Sequence, residues 1–235
     1  MYEADFAEIY DHIHRSRGKD YAAEAAELAR LIRERNPGAA SVLDVACGTG
    51  GHLLPLRQQF DRVEGLELSE DMLALAQTRL AGIRLHRGDM REFRLDSTYD
   101  AIVCMFSSIG YLRTTAELDR TLNCFARHLN PGGVIVIESW VFPEAFLPGY
   151  VSADIARTAG RTIARFSHSV REGNATRMEV HYLDATESGI RHLTDAHQLT
   201  LFTRDEYEAA FDRASCKVNY LENDKFPRGV FVGVL

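Results

Sequence analysis

The sequence predicts an α/β fold in which helices cover both faces of a parallel sheet, with a β-rich antiparallel insertion at about residues 141–200. Three observations predict it. Short apolar runs alternate with helical patterns through the first 140 residues, as is typical of strands buried on both faces of a parallel sheet. The first apolar run ends in a glycine loop that precedes a helix. After Trp140 the pattern changes to alternating strands joined by turns such as Glu172-Gly173-Asn174.

Apolar spacing and turn residues predict each element in order. Helical spacing predicts helices at 3–17 and 20–35, the second ended by Asn36-Pro37-Gly38. The remaining elements are strands at 41–46, 63–68, 83–86, 99–106 and 134–138, helices at 52–59, 72–80 and 116–129, insertion strands at 161–170, 176–183 and 191–202, a helix at 203–214, and strands at 217–221 and 230–234. We therefore expect one domain formed by 1–140 and 201–235, into which 141–200 is inserted.

The composition matches an ordinary globular protein with its own core. Lys+Arg 27 against Asp+Glu 34 gives a net charge of −7, which argues against a nucleic-acid partner because such proteins carry a basic face. The four cysteines form no C-x-x-C pair, as expected of reduced thiols in a cytoplasmic protein rather than of disulfides or a metal site. The first residues do not resemble a signal peptide, and no apolar run is long enough to span a bilayer.

The glycine loop Cys47-Gly48-Thr49-Gly50 lets the backbone approach a ligand closely. Position 53 is Leu where the dinucleotide motif has its third glycine, so a pyrophosphate site is disfavoured. Asp44 lies inside the apolar strand before the loop, where a buried carboxylate needs a partner such as a cationic ligand. Alternatively, Asp44 only caps backbone amides.

Two later strand ends extend the predicted site. Glu67 follows Gly48 by 19 residues, at a position where an acidic side chain can accept both ribose hydroxyls. Asp89 and Met90 follow the third strand, where they are suited to an adenine amino group and ring. Asp89 alone also fits an ordinary turn.

This ordered set of residues closely resembles the class I S-adenosylmethionine-dependent methyltransferases. The resemblance implies a Rossmann-like sheet that is mostly parallel with an antiparallel last strand. It also implies S-adenosylmethionine as cofactor and S-adenosylhomocysteine as product. The cofactor-binding residues that it implies are Tyr10, Asp44, Gly48, Gly50, Glu67, Leu68, Met72, Asp89, Met90 and Met105. For Met105, beside the transferred methyl, plain core packing is an equal alternative.

The residues after the fourth strand narrow the methyl acceptor. Methyltransferases of nucleic-acid amino groups carry Asn/Asp-Pro-Pro-Tyr there, whereas this chain has Met105-Phe106-Ser107-Ser108-Ile109-Gly110-Tyr111. Metal-assisted catechol-type transfer needs a carboxylate cluster at this edge, which the sequence lacks. We therefore expect a small-molecule acceptor and no metal.

Longer segments make the resemblance more specific. They are 2–11, 18–21, 65–73, 167–173, 176–182 and 228–231. With them the chain resembles the N,N-dimethyltransferases of dTDP-amino-deoxysugars, which complete desosamine, mycaminose and related macrolide sugars. The chain departs from that pattern at Glu138-Ser139-Trp140-Val141-Phe142-Pro143, where Glu-Pro-Trp-Trp-Phe-Pro is expected, and at 223–227. The implied partner is a dTDP-amino-deoxysugar, and a homodimer is compatible with the family.

The resemblance also implies roles on the acceptor side. Tyr111, Tyr2 and Glu138 are candidates to orient the amine or accept its proton, and His12, His14 and His52 are expected to be surface or packing residues. A period of two places Arg165, Ser167, Ser169 and Arg171 on one strand face, suited to a diphosphate. The full set of substrate candidates is Trp140, Arg165, Ser167, Ser169, Arg177 and Arg228.

Two alternatives remain at this point. The chain could methylate another small amine, such as glycine or sarcosine, in which case it would have no affinity for thymidine nucleotides. It could also be a module that binds the cofactor without catalysis.

Overall fold

The computed structural model describes residues 4–235, which form six α-helices, one 3-10 helix and eleven strands in two sheets. The helices are α1 (Ala4–Ser16), α2 (Tyr21–Arg33), α3 (Leu53–Arg57), α4 (Glu70–Arg79), α5 (Thr115–Arg127) and α6 (Arg204–Arg213), with the 3-10 helix at Ser108–Tyr111. The strands are β1 (Ser41–Val45), β2 (Arg62–Glu67), β3 (Arg84–Arg87), β4 (Tyr99–Cys104), β5 (Leu129–Glu138), β6 (Tyr150–Thr158), β7 (Arg161–Glu172), β8 (Ala175–Thr186), β9 (Gly189–Thr200), β10 (Lys217–Asn223) and β11 (Phe226–Val234).

The larger sheet has the strand order β10-β11-β5-β4-β1-β2-β3. Strands β5, β4, β1, β2 and β3 pair in parallel, and β11 pairs antiparallel with β5. The predicted Rossmann-like sheet with an antiparallel last strand is therefore confirmed. The strand order reverses between β1 and β4, and ligands of open α/β sheets bind at the carboxyl ends of the strands at such a reversal.

Apolar side chains pack on both faces of this sheet, which explains the nearly continuous apolar runs. Alternate residues of β1 belong to opposite core clusters, with Leu43 and Val45 on one face and Val42 on the other. The helices begin where the sequence supplies a cap. Asp20 accepts hydrogen bonds from two backbone amides at the start of α2, and Thr203 and Glu206 form a capping box at the start of α6.

The smaller sheet is an antiparallel meander in the order β6-β7-β8-β9. Helix α1 joins it to the larger unit, because Ile9 and Ile13 pack in one cluster with Met72 of α4 and with Ile163 and Val180 of the meander. The meander is held in this way beside the strand ends that carry the glycine loop.

Strand β6 (Tyr150–Thr158) was not predicted from the sequence. Its Ser152 and Asp154 are partly buried, whereas Val151 and Ile155 are 63% and 58% exposed. The usual pattern of apolar residues inside and polar residues outside is inverted in this strand. The other predicted elements are present, with ends that differ by a few residues.

Across residues 4–235, no helix is both long enough and apolar enough to cross a membrane.

Candidate functional site

A cavity of about 450 Å³ lies between the two sheets. Its lining comes from α1, from the carboxyl ends of β1, β2 and β4, from the 141–150 segment, and from β7, β8 and β9. A smaller cavity of about 40 Å³ shares five of these lining residues: Tyr10, Ala46, Gly48, Phe106 and Ser108. The two cavities are therefore adjacent parts of one site.

The glycine loop after β1 is built from backbone in the left-handed region. Gly48 has φ +56° and lines both cavities. Gly50 has φ +81°, and a Cβ added there would lie 2.3 Å from Leu80 Cδ1. Gly50 lines neither cavity, so the fold requires glycine at this position to form the turn and to admit Leu80 rather than for direct contact with a ligand.

Glu67 ends β2 and holds the loop with its carboxylate. Its Oε2 accepts from the Gly48 amide at 2.8 Å, and its Oε1 accepts from the Leu68 and Ser69 amides at 2.8 Å each. Glu67 also lines the larger cavity. The carboxylate is thus fixed by three backbone donors while it borders the site, at the predicted ribose position.

Asp44 is 1% exposed and lines the smaller cavity. Its Oδ2 is buried and has no hydrogen-bond partner among the residues that the structure describes. Burial raises the pKa of Asp44 to about 7, and the nearby Glu67 charge adds to the rise. An unpaired buried carboxylate oxygen beside a cavity favours a cationic ligand there, so the predicted cofactor fits this end of the site.

Apolar residues after β2, β3 and β4 and in α4 also line the two cavities. Leu68, Met72 and Met90 line the larger cavity, and Met105, which is 3% exposed, lines the smaller one. Asp89 lines neither cavity.

Asp89 is instead paired with Arg91. The guanidinium and the backbone amide of Arg91 both donate to the Asp89 carboxylate, at distances between 2.6 and 3.1 Å. These charge-assisted bonds hold the pKa of Asp89 below its usual range. The presence of Arg91 two residues after Asp89 is the sequence signal for the alternative that Asp89 belongs to an ordinary turn.

The segment after β4 is strained at the edge of the cavity. Phe106 and Ser107 have φ values of 56° and 61°, which are uncommon for residues other than glycine. Glu138 Oε2 accepts from the Phe106 amide at 2.7 Å, and Ser107 Oγ donates to the Ser139 carbonyl at 2.8 Å. Glu138 is 4% exposed and lines neither cavity. Its contact with the Phe106 amide supports the turn.

Tyr111 lines the larger cavity and is 39% exposed. Its hydroxyl is 2.8 Å from Nδ1 of His197 on β9. His197 also lines the cavity and was not predicted from the sequence, because it lies 86 residues from Tyr111. Tyr2, the other predicted tyrosine, lies outside the described residues.

Aromatic rings of α1 meet the strained turn where the two cavities join. The His14 ring lies 4.3 Å from Tyr10 and 4.7 Å from Phe106 between centroids. Burial lowers the pKa of His14 to about 3, so this imidazole is neutral. His14 lines the larger cavity and His52, buried against Glu24, lines the smaller one, whereas His12 is exposed.

The predicted arginine and serine face of β7 points into the cavity. Arg165, Ser167 and Ser169 are 5–6% exposed and line it, while Phe166 on the other face is 46% exposed. Arg165 Nη1 donates to Ser167 Oγ at 3.1 Å and lies 3.6 Å from Asp154 Oδ2. Its Nε is buried without a partner in the described part of the chain.

Two further arginines border this region. Arg17, which directly follows α1, lines the cavity and pairs with Asp154 at 3.0 Å. Arg228 also lines it, with its guanidinium 4.9 Å from the Trp140 ring and 3.8 Å from Glu138 Oε1. The cavity therefore has cationic groups at two places away from the glycine loop.

Arg177 and Arg171 lie outside the cavity. Arg177 is exposed, with Nε 2.7 Å from Glu172 Oε1, because it lies on the face of β8 opposite to the cavity-lining Met178. Arg171 is exposed near the end of β7, where its Nε donates to the Gly173 carbonyl. The structure does not bring either residue to the other predicted substrate residues.

Among the side chains that the structure describes, no group of three or more His, Cys, Asp or Glu is placed to hold a metal ion.

Comparisons with known proteins agree with this geometry. Residues 42–133 match the family described as methyltransferase domain. Over 235 residues the chain is 57% identical to the dTDP-3-amino-3,4,6-trideoxy-alpha-D-glucopyranose N,N-dimethyltransferase of Streptomyces venezuelae, covering 100% of this chain and 99% of that protein. It is 53% identical to the dTDP-3-amino-3,6-dideoxy-alpha-D-glucopyranose N,N-dimethyltransferase of Streptomyces fradiae, covering 99% and 92%. Among solved structures, SAM-bound CalS10, an amino pentose methyltransferase from Micromonospora echinaspora involved in calicheamicin biosynthesis, superposes with a TM-score of 0.90 at 48% identity and covers 96% of each chain.

Proposed function

Because the chain belongs to the S-adenosylmethionine-dependent N,N-dimethyltransferases of dTDP-aminosugars, we propose that it dimethylates the 3-amino group of a dTDP-linked 3-amino-deoxysugar. Both curated relatives described above act on 3-amino sugars. One observation carries the proposal: a single cavity borders the glycine loop at one side and a buried arginine and serine face at the other. An enzyme that transfers a methyl group from S-adenosylmethionine to a nucleotide sugar needs a binding site for each of them in one cavity.

The chain's residues fit the cofactor at the glycine-loop side. We propose that Asp44, Gly48, Glu67, Leu68, Met72 and Met90 hold it, with Met105 at its methionine part. When bound, S-adenosylmethionine supplies an electrophilic methyl group for in-line displacement by a neutral amine. The protein contributes mainly by aligning that amine, because well-oriented reactants gain a large rate advantage without acid–base catalysis.

The insertion is proposed to hold the nucleotide sugar. Arg165 is buried with an unpartnered Nε, and Ser167 and Ser169 lie beside it on the cavity face. Arg17 adds a second cation at the same end. Guanidinium groups and hydroxyls are suited to diphosphate oxygens, so we assign this face to the diphosphate.

Arg228 and Trp140 are proposed to contact the substrate near the strained turn. The stacked pair borders the cavity, and Arg228 is also held by Glu138. Arg177 is not part of the proposed substrate site, because its exposed ion pair with Glu172 lies on the other side of the meander.

The two alternative functions are not favoured. Glycine and sarcosine need no diphosphate site, and they would leave the buried Arg165 guanidinium without a ligand. A module without catalysis would need no acceptor side, yet Tyr111 and His197 line the same cavity as the cofactor residues.

We also propose a cytoplasmic homodimer that has no nucleic-acid partner. All four cysteines are free and buried, as is typical of reducing compartments, and the net charge of −7 disfavours nucleic acid. The outer face of the meander exposes Val151, Ile155, Phe166, Leu183 and Ile190. Such an apolar surface is typical of a contact between proteins, and we propose it as the dimer contact.

The proposed function is tested with a panel of acceptors and labelled S-adenosylmethionine. The panel contains a dTDP-3-aminosugar, a dTDP-4-aminosugar, glycine and sarcosine, and unlabelled dTDP is added as a competitor. We expect transfer to the dTDP-3-aminosugar with inhibition by dTDP. Transfer to glycine or sarcosine, without competition by dTDP, would contradict the proposal.

A further inference from the structure

Behind Tyr111 lies a row of polar contacts that no assigned role uses: one hydrogen bond and one ion-pair contact. The Tyr111 hydroxyl is 2.8 Å from His197 Nδ1, and His197 Nε2 is 3.4 Å from Asp195 Oδ2. His197 is 8% exposed, whereas the Asp195 side chain is 18% exposed. The row of contacts thus runs from the cavity, through a buried imidazole, to a carboxylate that water reaches.

Dimethylation of an amine has two proton requirements. An ammonium ion has no lone pair, so the bound amine must lose a proton before it attacks. After the first transfer the nitrogen again carries a positive charge, and it must lose a proton before the second transfer. An acceptor inside the cavity would meet both requirements while the sugar stays bound.

We propose that Asp195 and His197 take up the amine proton through the Tyr111 hydroxyl. An ammonium N–H bond breaks and its proton moves to Tyr111 Oη, while the tyrosine O–H bond breaks and that proton moves to His197 Nδ1. The products are a neutral amine, an unchanged tyrosine and an imidazolium ion stabilised by the Asp195 carboxylate. The imidazolium then loses its Nε2 proton to water beside Asp195, and exchange of the remaining ring proton from Nδ1 to Nε2 restores the starting tautomer before the second transfer. This inference rests on the proposed function.

The surroundings of His197 favour a neutral imidazole before proton uptake. Burial lowers the pKa of His197, the Asp195 carboxylate opposes this, and the Arg165 guanidinium adds to the lowering. The groups that face it are Asp195 on β9, Arg165 on β7, His14 on α1 and Tyr111 on the 3-10 helix. In the proposed tautomer the proton is on Nε2, beside Asp195, and Nδ1 accepts from the tyrosine hydroxyl.

The histidine tautomer tests the arrangement without any measurement of activity. Long-range ¹H–¹⁵N NMR of the free wild-type enzyme should show the His197 proton on Nε2, with the signal assigned by its loss in His197→Gln. Asp195→Ala should shift the population toward the Nδ1–H tautomer. A wild-type His197 protonated on Nδ1 would overturn the proposal.

Activity tests whether protons use this path. His197→Gln should lower kcat at pH 7 by roughly 100-fold and raise the share of monomethyl product, because proton transfer by a positioned group contributes about 10²-fold or more. The loss should shrink to about threefold at pH 9, where more of the amine is already neutral. Asp195→Asn, on a partly exposed side chain, should show the same pH trend with a smaller loss.

Tyr111→Phe combined with His197→Gln should lose no more activity than the worse single variant, because both act in one path. His12→Gln, at an exposed residue of α1 that lines neither cavity, is the control and should change nothing. Losses that are additive, or that stay constant with pH, would refute the relay. Absence of transfer by the wild-type enzyme to any dTDP-aminosugar would instead refute the proposed function.

Discussion

Asp44 provides the sharpest test of the proposed cofactor site. Its carboxylate should lower the stability of the ligand-free protein and raise the affinity for S-adenosylmethionine. Burial raises its pKa from 3.8 to about 7. Folding favours the protonated form of such an acid. The stability of the folded protein therefore falls as pH rises from the unfolded pKa of 3.8 toward the folded pKa of about 7. At 1.36 kcal/mol for each pH unit, the cost at pH 8 is up to about 4 kcal/mol.

Asp44→Asn removes that charge with little change in shape. We expect the variant to be more stable than the wild type at pH 8, by up to about 4 kcal/mol, and by less than about 2 kcal/mol at pH 5. In a chain of this size, about 2–4 °C of Tm corresponds to 1 kcal/mol. Urea unfolding and thermal melts at pH 5 and pH 8, without ligand, measure the difference.

Asp100→Asn is a matched control of opposite sign. Asp100 accepts hydrogen bonds from the Ala40 and Ser41 amides at 2.9 Å each, and such bonds hold its pKa below the usual range. Its loss should therefore destabilise the protein at pH 8. Equal destabilisation by Asp44→Asn at both pH values would refute the reasoning about the unpaired carboxylate.

Cofactor binding should change in the opposite direction. A hydrogen bond to a charged group contributes about 1.5–3 kcal/mol, so Asp44→Asn should weaken S-adenosylmethionine binding by about 10- to 150-fold at pH 8. Wild-type affinity should fall as pH drops below about 7, since binding then requires Asp44 to lose its proton. Calorimetry should show that this pH dependence is absent in the variant; an unchanged affinity would remove Asp44 from the site.

Three further predictions concern the rest of the cavity. Glu67→Ala should weaken S-adenosylmethionine binding by about 1–3 kcal/mol and also lower Tm, because the carboxylate holds three backbone amides; calorimetry that finds unchanged affinity in a folded variant would contradict it. Arg165→Met should raise the KM for the nucleotide sugar at least tenfold with a smaller change in kcat, while the exposed Arg177→Met, its control, should leave steady-state kinetics unchanged. Arg228→Ala should likewise raise KM more than it lowers kcat, and failure of saturating substrate to restore the rate would place Arg228 nearer the reacting nitrogen.

The sequence predicted well which residues lie around the glycine loop, because the signals for their placement are local. Asp44, Gly48 and Glu67 lie at the ends of adjacent parallel strands, and parallel strands bring such positions to one edge of a sheet. The prediction that Asp89 contacts the adenine ring was weaker, because a neighbouring arginine can pair with that carboxylate. Arg91 pairs with Asp89, and the motif alone does not account for this ion pair.

The acceptor side was harder to predict because it depends on long-range packing. His197 meets Tyr111 only because β9 packs beside the 3-10 helix, and His14 reaches the cavity only because α1 bridges the two sheets. Strand β6 escaped prediction since its polar residues face inward. Polar side chains that line a ligand cavity break the hydrophobic pattern on which strand prediction depends.

The central claim is that one cavity joins an S-adenosylmethionine site to a dTDP-aminosugar site for two successive transfers. The most direct test is mass spectrometry of a dTDP-3-aminosugar after reaction with purified enzyme and excess S-adenosylmethionine, with S-adenosylhomocysteine counted in the same sample. The account predicts complete conversion to the N,N-dimethyl product, with two molecules of S-adenosylhomocysteine released for each sugar. Conversion that stops at the monomethyl product, or methylation at a hydroxyl group instead of the nitrogen, would contradict it.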